Sequence, residues 1–191
     1  MTEPMTDRSS LANHFLIAMP ALQDPNFAHT VTYICEHNEE GAMGIIINRP
    51  MEFKLDEVME HMGITCETAN IQSEAVFGGG PVQQERGFVL HTPLGRWDSS
   101  MAINGDIAVT TSKDILESMA GGNGPDEHLV ALGYAGWGEG QLEREMADNA
   151  WLAGPMTHEL MFHTPINERW HAAAALLGVD INLMSGQVGH A

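Results

Sequence analysis

The sequence has few cysteines, few basic residues and no long apolar run. Its two cysteines, Cys35 and Cys66, form no CxxC pattern, so neither a disulfide scaffold nor a zinc ribbon is expected. The longest apolar runs, such as residues 172–177, are far shorter than the roughly 20 residues of a membrane helix. The opening MTEPMTDRSS lacks a basic stretch followed by an apolar one, so we expect no secretion signal. These absences predict a cytoplasmic protein without a membrane partner.

The shortage of basic side chains bears on nucleic-acid binding. The chain has 8 Lys and Arg residues against 26 Asp and Glu residues, which gives a formal net charge of −18. A surface of this sign repels phosphate backbones unless its few cations gather in one patch. Direct binding to nucleic acid is therefore not favoured.

Strand and helix patterns are mixed and do not alternate regularly. Apolar and β-branched residues over 30–37 and 42–48, separated by the polar turn NEEG, predict a β-hairpin. Apolar positions at helical spacing predict a helix over 54–62 that ends at Gly63, with acidic residues on its other face. With 43% hydrophobic residues the chain can bury a core. These patterns predict one α+β domain with a largely antiparallel or mixed sheet, and two closely packed lobes are the alternative.

Two glycine-rich stretches could shape a binding site. Gly78 to Gly80 precede Pro81 and a strand, and no phosphate-binding pattern such as GxxxxGK[ST] is present. We predict a turn there, with a pocket rim as the alternative. In GYAGWGEGQ, alternate glycines surround Trp137. This pattern favours a bulged strand end before a helix, and a pocket beside the indole is the alternative.

No complete catalytic set is visible. HELMFH has one residue too many for the zincin motif HExxH, and no GxSxG motif occurs. Strand alternation places Cys35 on one face with Val31, Tyr33 and His37, so a reactive thiol is a hypothesis. A buried, inert cysteine is the alternative. The sequence predicts no metal site and no cofactor.

Several longer stretches carry a family resemblance. In chain order they are HFLIAMPALQDPNFAHTVTYICEH, GAMGIIINRP, FGGGPVQQERGFVLH, VTTSKDIL and GYAGWGEGQLEREMADNAWL. Together they resemble the AlgH/YqgE family of bacterial proteins over about residues 11–178. The resemblance implies an α+β fold whose bifurcated sheet is partly curled into a small closed barrel surrounded by helices.

For activity the resemblance implies much less, because the family has no established reaction. Its members are called uncharacterised proteins or transcriptional regulators, the latter from a genetic link to alginate production, although this chain shows no helix-turn-helix pattern. Cys35 lies where the family commonly carries a thiol, and Gly78 departs from the motif, which needs only a glycine pair before proline. The positions that match the motifs and that we take as candidate binding residues are Asn48, Arg49, Gly79, Gly80, Pro81, His91, Trp137, Gln141 and Asn149. Further matches are Pro50, Val82, Gly87, Gly136, Leu142 and Trp151.

The leading hypothesis is a non-enzymatic protein that binds a protein partner or a small molecule and acts in regulation. Its domain is predicted over 11–182, between mobile tails at 1–10 and 183–191. One alternative is a redox sensor or enzyme that uses Cys35. Another is a DNA-binding regulator, which the net charge of −18 disfavours.

Overall fold

The computed structural model of the protein describes residues 10–20, 22 and 24–179. Apart from Ser10, the two predicted tails lie outside these residues. Contacts divide the chain into two compact units. Unit 1 comprises the described residues up to Asn48 and from Ala135 onward, and unit 2 is the continuous stretch Arg49–Tyr134. The single domain predicted over 11–182 stays a prediction.

Strands and α-helices are both present among the described residues. The strands are β1 (His14–Ala18), β2 (Val31–Asn38), β3 (Gly41–Ile46), β4 (Pro50–Lys54), β5 (Ala75–Gly78), β6 (Val82–Thr92), β7 (Ser100–Ala102), β8 (Ala108–Thr110), β9 (Glu127–Trp137) and β10 (Trp151–Pro155). The α-helices are α1 (Leu55–His61), α2 (Ala69–Gln72), α3 (Lys113–Ala120), α4 (Gln141–Ala147) and α5 (Arg169–Leu176). None of the helices in the described ranges combines the length and the hydropathy needed to span a membrane.

The sheet of unit 1 is antiparallel, in the order β10-β1-β2-β3-β9. The predicted hairpin forms from β2 and β3 because both strands are rich in apolar, β-branched residues and a polar turn joins them. Only the last residues of β9, from Ala135, belong to this unit. A core cluster packs Ile34, Leu142 and Trp151 against one face of the sheet.

The sheet of unit 2 runs β4-β5-β9-β6-β8-β7. Its β5 is parallel to β9, and its other described ladders are antiparallel. Residues 130–132 of β9 pair with β5, and residues 135–137 of β9 pair with β3. The sheet therefore branches along β9. The α+β class with a mixed, bifurcated sheet is confirmed. In the described residues no ladder joins β4 to β7, the two end strands of this sheet.

Helices α1 and α3 cover one face of the unit 2 sheet. Leu55 and Met59 of α1 and Ile115 and Met119 of α3 are buried against the strands. The prediction of an amphipathic helix over 54–62 is confirmed, because α1 buries its apolar stripe and ends before Gly63, whose φ is 73°.

A buried arginine, which the sequence analysis did not single out, anchors α5 in unit 1. Arg169 is 6% exposed, and its guanidinium donates to the backbone oxygens of Thr164 and Ile47. Burial lowers the pKa of Arg169 to about 10, so the side chain still carries its charge at neutral pH.

Candidate binding site

The candidate residues from the sequence fall in both units. Unit 1 contains Asn48, Trp137, Gln141 and Asn149, and unit 2 contains Arg49, Gly79, Gly80, Pro81 and His91. The local contacts of each residue indicate whether it is available to a ligand.

Asn48 uses both ends of its side-chain amide within unit 1. Its Oδ1 accepts from the backbone N–H of Val31 at 2.8 Å, and its Nδ2 donates to the backbone oxygen of His29 at 2.9 Å. These contacts fix the segment that enters β2, which is a structural role.

Trp137 and Gln141 belong to a group that we call the tryptophan cluster: Trp137, Gln141, Glu145 and Trp151. One carboxylate oxygen of Glu145 accepts both indole N–H groups, at 3.2 Å from Trp137 and 3.0 Å from Trp151. The other accepts from Gln141 Nε2 at 2.9 Å, and the Gln141 carbonyl accepts from the N–H of Gly138 at 3.0 Å. The indoles are buried, at 5% and 2% exposed.

In the tryptophan cluster each indole N–H, both carboxylate oxygens and the Gln141 amide groups have partners. It therefore holds α4 on the sheet of unit 1 and presents no vacant side chain to a ligand. Glu145 is not among the candidate residues predicted from the sequence. The available signal was the spacing of four residues between Gln141 and Glu145, which places them on the same side of a helix.

Asn149 marks the end of α4. It has a φ of 59°, and its N–H donates to the backbone oxygen of Met146 at 3.1 Å. Asparagine is one of the few residues that adopts this left-handed conformation readily, so a helix-ending role accounts for it.

The glycine turn of unit 2 crosses over β9. The N–H of Gly79 donates to the backbone oxygen of Leu132 at 2.8 Å, and Gly80 has a φ of 154°. A Cβ on Gly133, whose φ is 80°, would lie 2.5 Å from the backbone oxygen of Gly80. Only a glycine at 133 leaves room for this crossing. Backbone contacts thus account for Gly79 and Gly80.

The residues beside this turn are less constrained. A Cβ on Gly78 would first meet the flexible end of Met51, at 3.2 Å. Pro81 is exposed and lies just before β6. Arg49 is half-buried, and its backbone oxygen accepts from the N–H of Gly78 at 2.8 Å.

Cys35 is buried in unit 1, at 4% exposed. Burial, with a smaller contribution from the negative charge of Glu36, raises the pKa of its thiol well above the ordinary value. A β-bulge between Ile34 and Glu36 shifts the alternation of β2, which places His37 on the face of Ile34 and opposite to Tyr33. The expectation that His37 shares a face with Tyr33 is therefore wrong. A protonated, inaccessible thiol is a poor nucleophile.

His91 is fully buried in unit 2. Its Nδ1–H donates to the backbone oxygen of Pro93 at 2.9 Å, which leaves Nε2 to accept from the hydroxyl of Thr110 at 2.7 Å. The Thr110 hydroxyl lies 2.6 Å from that of Ser100, from which it accepts. Burial, together with the nearby His128, lowers the pKa of His91, and the bond to Pro93 opposes this shift only in part. His91 is therefore neutral at pH 7.

The Thr110–His91 pair has the spacing of a nucleophile and its general base. Thr110 and His91 are both 0% exposed. Thr110 borders the cavity described below, but its hydroxyl is engaged with His91 and Ser100. The hydrogen-bonded chain is complete without a ligand, which favours a structural role.

A cavity of about 410 Å³ lies on this face of unit 2. Its floor comes from neighbouring strands, where Gly87 faces Leu132 and Val89 faces both Val130 and Thr110. Residues paired across antiparallel strands point to the same face, so these residues line one surface. None of the five candidate residues in unit 2 lines the cavity. His91 is connected to the cavity wall only indirectly, by its hydrogen bond with Thr110.

Gly87 leaves this space open. A Cβ built on it meets no atom within 4 Å, so even a small side chain here would project into the cavity. The walls are apolar and comprise Phe53 of β4, Val58 of α1, Met62 just after α1 and Leu116 of α3. The cavity thus results from a glycine in the sheet beneath two helices.

Charged side chains stand at the rim of the cavity: Glu57 and His61 of α1, Glu85 of β6 and Lys113 of α3. All four are exposed, and their side chains form no hydrogen bond or ion pair with another residue in the described ranges. In the same part of the chain, no group of three or more His, Cys, Asp or Glu side chains could hold a metal ion.

Comparisons with known proteins agree with this architecture. The AlgH-like family model matches residues 15–182. A UPF0301 protein of Thioalkalivibrio sulfidiphilus is 59% identical over 187 residues, which cover 98% of this chain and 100% of the relative. The solution structure of the AlgH protein from Pseudomonas aeruginosa is 48% identical, covers 100% of both chains and has a TM-score of 0.80. The structure of protein DIP2367 from Corynebacterium diphtheriae is 19% identical and has a TM-score of 0.72. The match covers 96% of this chain and 93% of the DIP2367 chain, and it shows a similar fold alone.

Proposed function

The chain belongs to the AlgH-like family, and we propose that it is a non-enzymatic protein that binds an apolar small molecule in the cavity of unit 2 and acts in regulation. The observation that carries the proposal is the open space above Gly87. A cavity of about 410 Å³ lies within the range of ligand pockets, and apolar walls with polar groups at the rim are typical of such pockets.

The burial of the candidate catalytic groups favours a binding function over catalysis. Thr110 and His91 have the contacts of a reactive pair but are closed off from solvent, and the Cys35 thiol is buried and protonated. We therefore assign neither pair nor thiol a chemical role. A net charge of −18 opposes contact with DNA, so we propose that any effect on transcription is indirect, through a ligand or a protein partner.

The proposal is tested with N-phenyl-1-naphthylamine, an uncharged dye whose fluorescence rises in apolar surroundings. We expect saturable binding to the unaltered protein and a loss of affinity of about tenfold or more in Gly87→Phe, because the ring would occupy the cavity. Gly105→Phe is the matched control, since a Cβ there also meets no atom within 4 Å and Gly105 does not line the cavity.

Gly87→Ala provides a second, milder variant in case the phenyl ring disturbs folding. Circular dichroism and urea unfolding would establish that each variant is folded before its affinity is measured. Two outcomes would overturn the proposal: no saturable binding to the unaltered protein, or equal affinity in folded Gly87→Phe and Gly105→Phe.

A further inference from the structure

The charged side chains at the rim of the cavity indicate which charge a ligand would carry. Two carboxylates, Glu57 and Glu85, stand there against one ammonium group, that of Lys113. With histidine counted as neutral, this gives the rim an excess of negative charge. None of these side chains is neutralised by a partner among the described residues, so their charges are available to a ligand at the cavity mouth.

The start of α3 does not favour an anion, although a helix N-terminus often does. The carboxylate of Asp114 already occupies this position. It accepts from the backbone N–H groups of Asp98 and Ile115, at 2.9 and 3.0 Å, and from the hydroxyl of Ser112. Partial burial alone would raise the pKa of Asp114, but these hydrogen bonds outweigh it and lower the pKa. Lys113 would be the main partner of an anion.

Most charges around the rim have the same sign, although the guanidinium of Arg86, next to Glu85, donates to the hydroxyl of the lining residue Thr111 at 3.5 Å. Helix α1 also carries Asp56 and Glu60, both exposed, and the whole chain has a formal charge of −18. A field of this sign raises the local concentration of cations and lowers that of anions. A ligand with a positive end therefore meets attraction during its approach and again at the rim.

We infer that the ligand of this cavity is a cationic amphiphile, with an apolar body that fills the space above Gly87 and an ammonium or guanidinium group at Glu57 and Glu85. This inference rests on the proposed function, because it assigns a charge to the ligand of the same cavity. The apolar body supplies most of the affinity by burial, and the positive end supplies selectivity between ligands of similar size.

Three probes with the same eight-carbon chain separate these contributions: octylammonium, 1-octanol and octanoate. Their binding is followed near neutral pH from the amide chemical shifts of Gly87 and Lys113 in two-dimensional NMR spectra. Exposed ion pairs are individually weak, so we expect octylammonium to bind roughly three to ten times more tightly than 1-octanol, and octanoate to bind more weakly still. High salt should reduce this preference.

The double variant Glu57→Gln with Glu85→Gln should bind octylammonium and 1-octanol with nearly equal affinity. Its matched control is Glu60→Gln with Glu117→Gln, which removes the same charge from exposed positions that do not line the cavity and should keep the preference. If 1-octanol or octanoate binds as tightly as octylammonium, the inferred charge is wrong and the binding function stands. If none of the probes shifts the cavity amides, the proposed function fails as well.

Discussion

The tryptophan cluster of unit 1 and the cavity of unit 2 differ in how their polar side chains are satisfied. In the cluster, Glu145 receives hydrogen bonds from two indoles and an amide, and the rings fill the space between α4 and the sheet. At the cavity, Glu57, Glu85 and Lys113 have no partner among the described residues, and Gly87 leaves the space beneath them empty.

This difference shows that a family motif does not by itself identify a binding site. Trp137 and Gln141 stand out in the sequence, and both are fully occupied in holding the fold. Gly87 is an inconspicuous motif position, and it opens the cavity. The availability of a side chain is thus a better guide to function here than its prominence in the motif.

The largest effect is expected when the cluster loses its acceptor. Glu145→Ala leaves two buried indole N–H groups without a partner, which should lower the free energy of unfolding by about 3 kcal/mol. Urea unfolding at neutral pH measures the change. Glu139→Ala, at an exposed position in the preceding turn, should change it by less than about 0.5 kcal/mol. A loss below about 1 kcal/mol for Glu145→Ala would contradict the structural role of the cluster.

Two glycines of unit 2 give the next contrast. Gly133→Ala should lower the free energy of unfolding by about 2 kcal/mol, because the new Cβ would clash with Gly80 and the φ of 80° strains an alanine. Gly87→Ala has open space and an ordinary φ, so it should be neutral or slightly stabilising. Equal losses in the two variants, again measured by urea unfolding, would remove the distinction between a closed and an open glycine.

The smallest expected effect is the pH dependence of stability that His91, the hydrogen-bond partner of Thr110, contributes. The pKa of His91 is lower in the folded protein than its ordinary value of 6.5, so the unfolded chain takes up the proton first as the pH falls. Stability should therefore fall as the pH drops below about 6.5, with a slope from His91 of at most about 1.4 kcal/mol per pH unit.

His91→Gln should show a shallower slope than the unaltered protein in urea unfolding over this range. His61→Gln, at an exposed position outside this hydrogen-bonded chain, is the matched control. The carboxyl groups of Asp114 and Glu143 have lowered pKa values, so their contributions are lost only at more acidic pH and do not confuse the comparison. Parallel slopes for the two variants would show that His91 is not buried as a neutral group.

The parts of the fold that follow local patterns were predictable. The hairpin of β2 and β3 and the helix α1 were recognised because their apolar residues repeat at the spacing of a strand or a helix. The turn at Gly79 and Gly80 was recognised from glycine and proline chemistry. Each of these features depends on residues that are close in the chain.

The candidate site was largely missed because it depends on residues far apart in the chain. Gly87 opens a cavity only because Leu116 and Val58 come from helices that follow and precede it, and no local pattern reports this. The alternation of β2 gave the wrong face for His37 because a bulge has no signature in the residues around Cys35. Glu145 was missed because its partners, the two indoles, come from different strands.

The division of the chain also has a consequence for its synthesis. A ribosome synthesises the whole of unit 2, Arg49–Tyr134, before it makes β10, the strand that pairs with β1. During that interval one edge of β1 has no partner, and its apolar residues and free backbone groups could pair with another nascent chain. We therefore expect this protein to be most prone to aggregation while it is being translated, and a chaperone that binds nascent chains to protect β1 until β10 emerges.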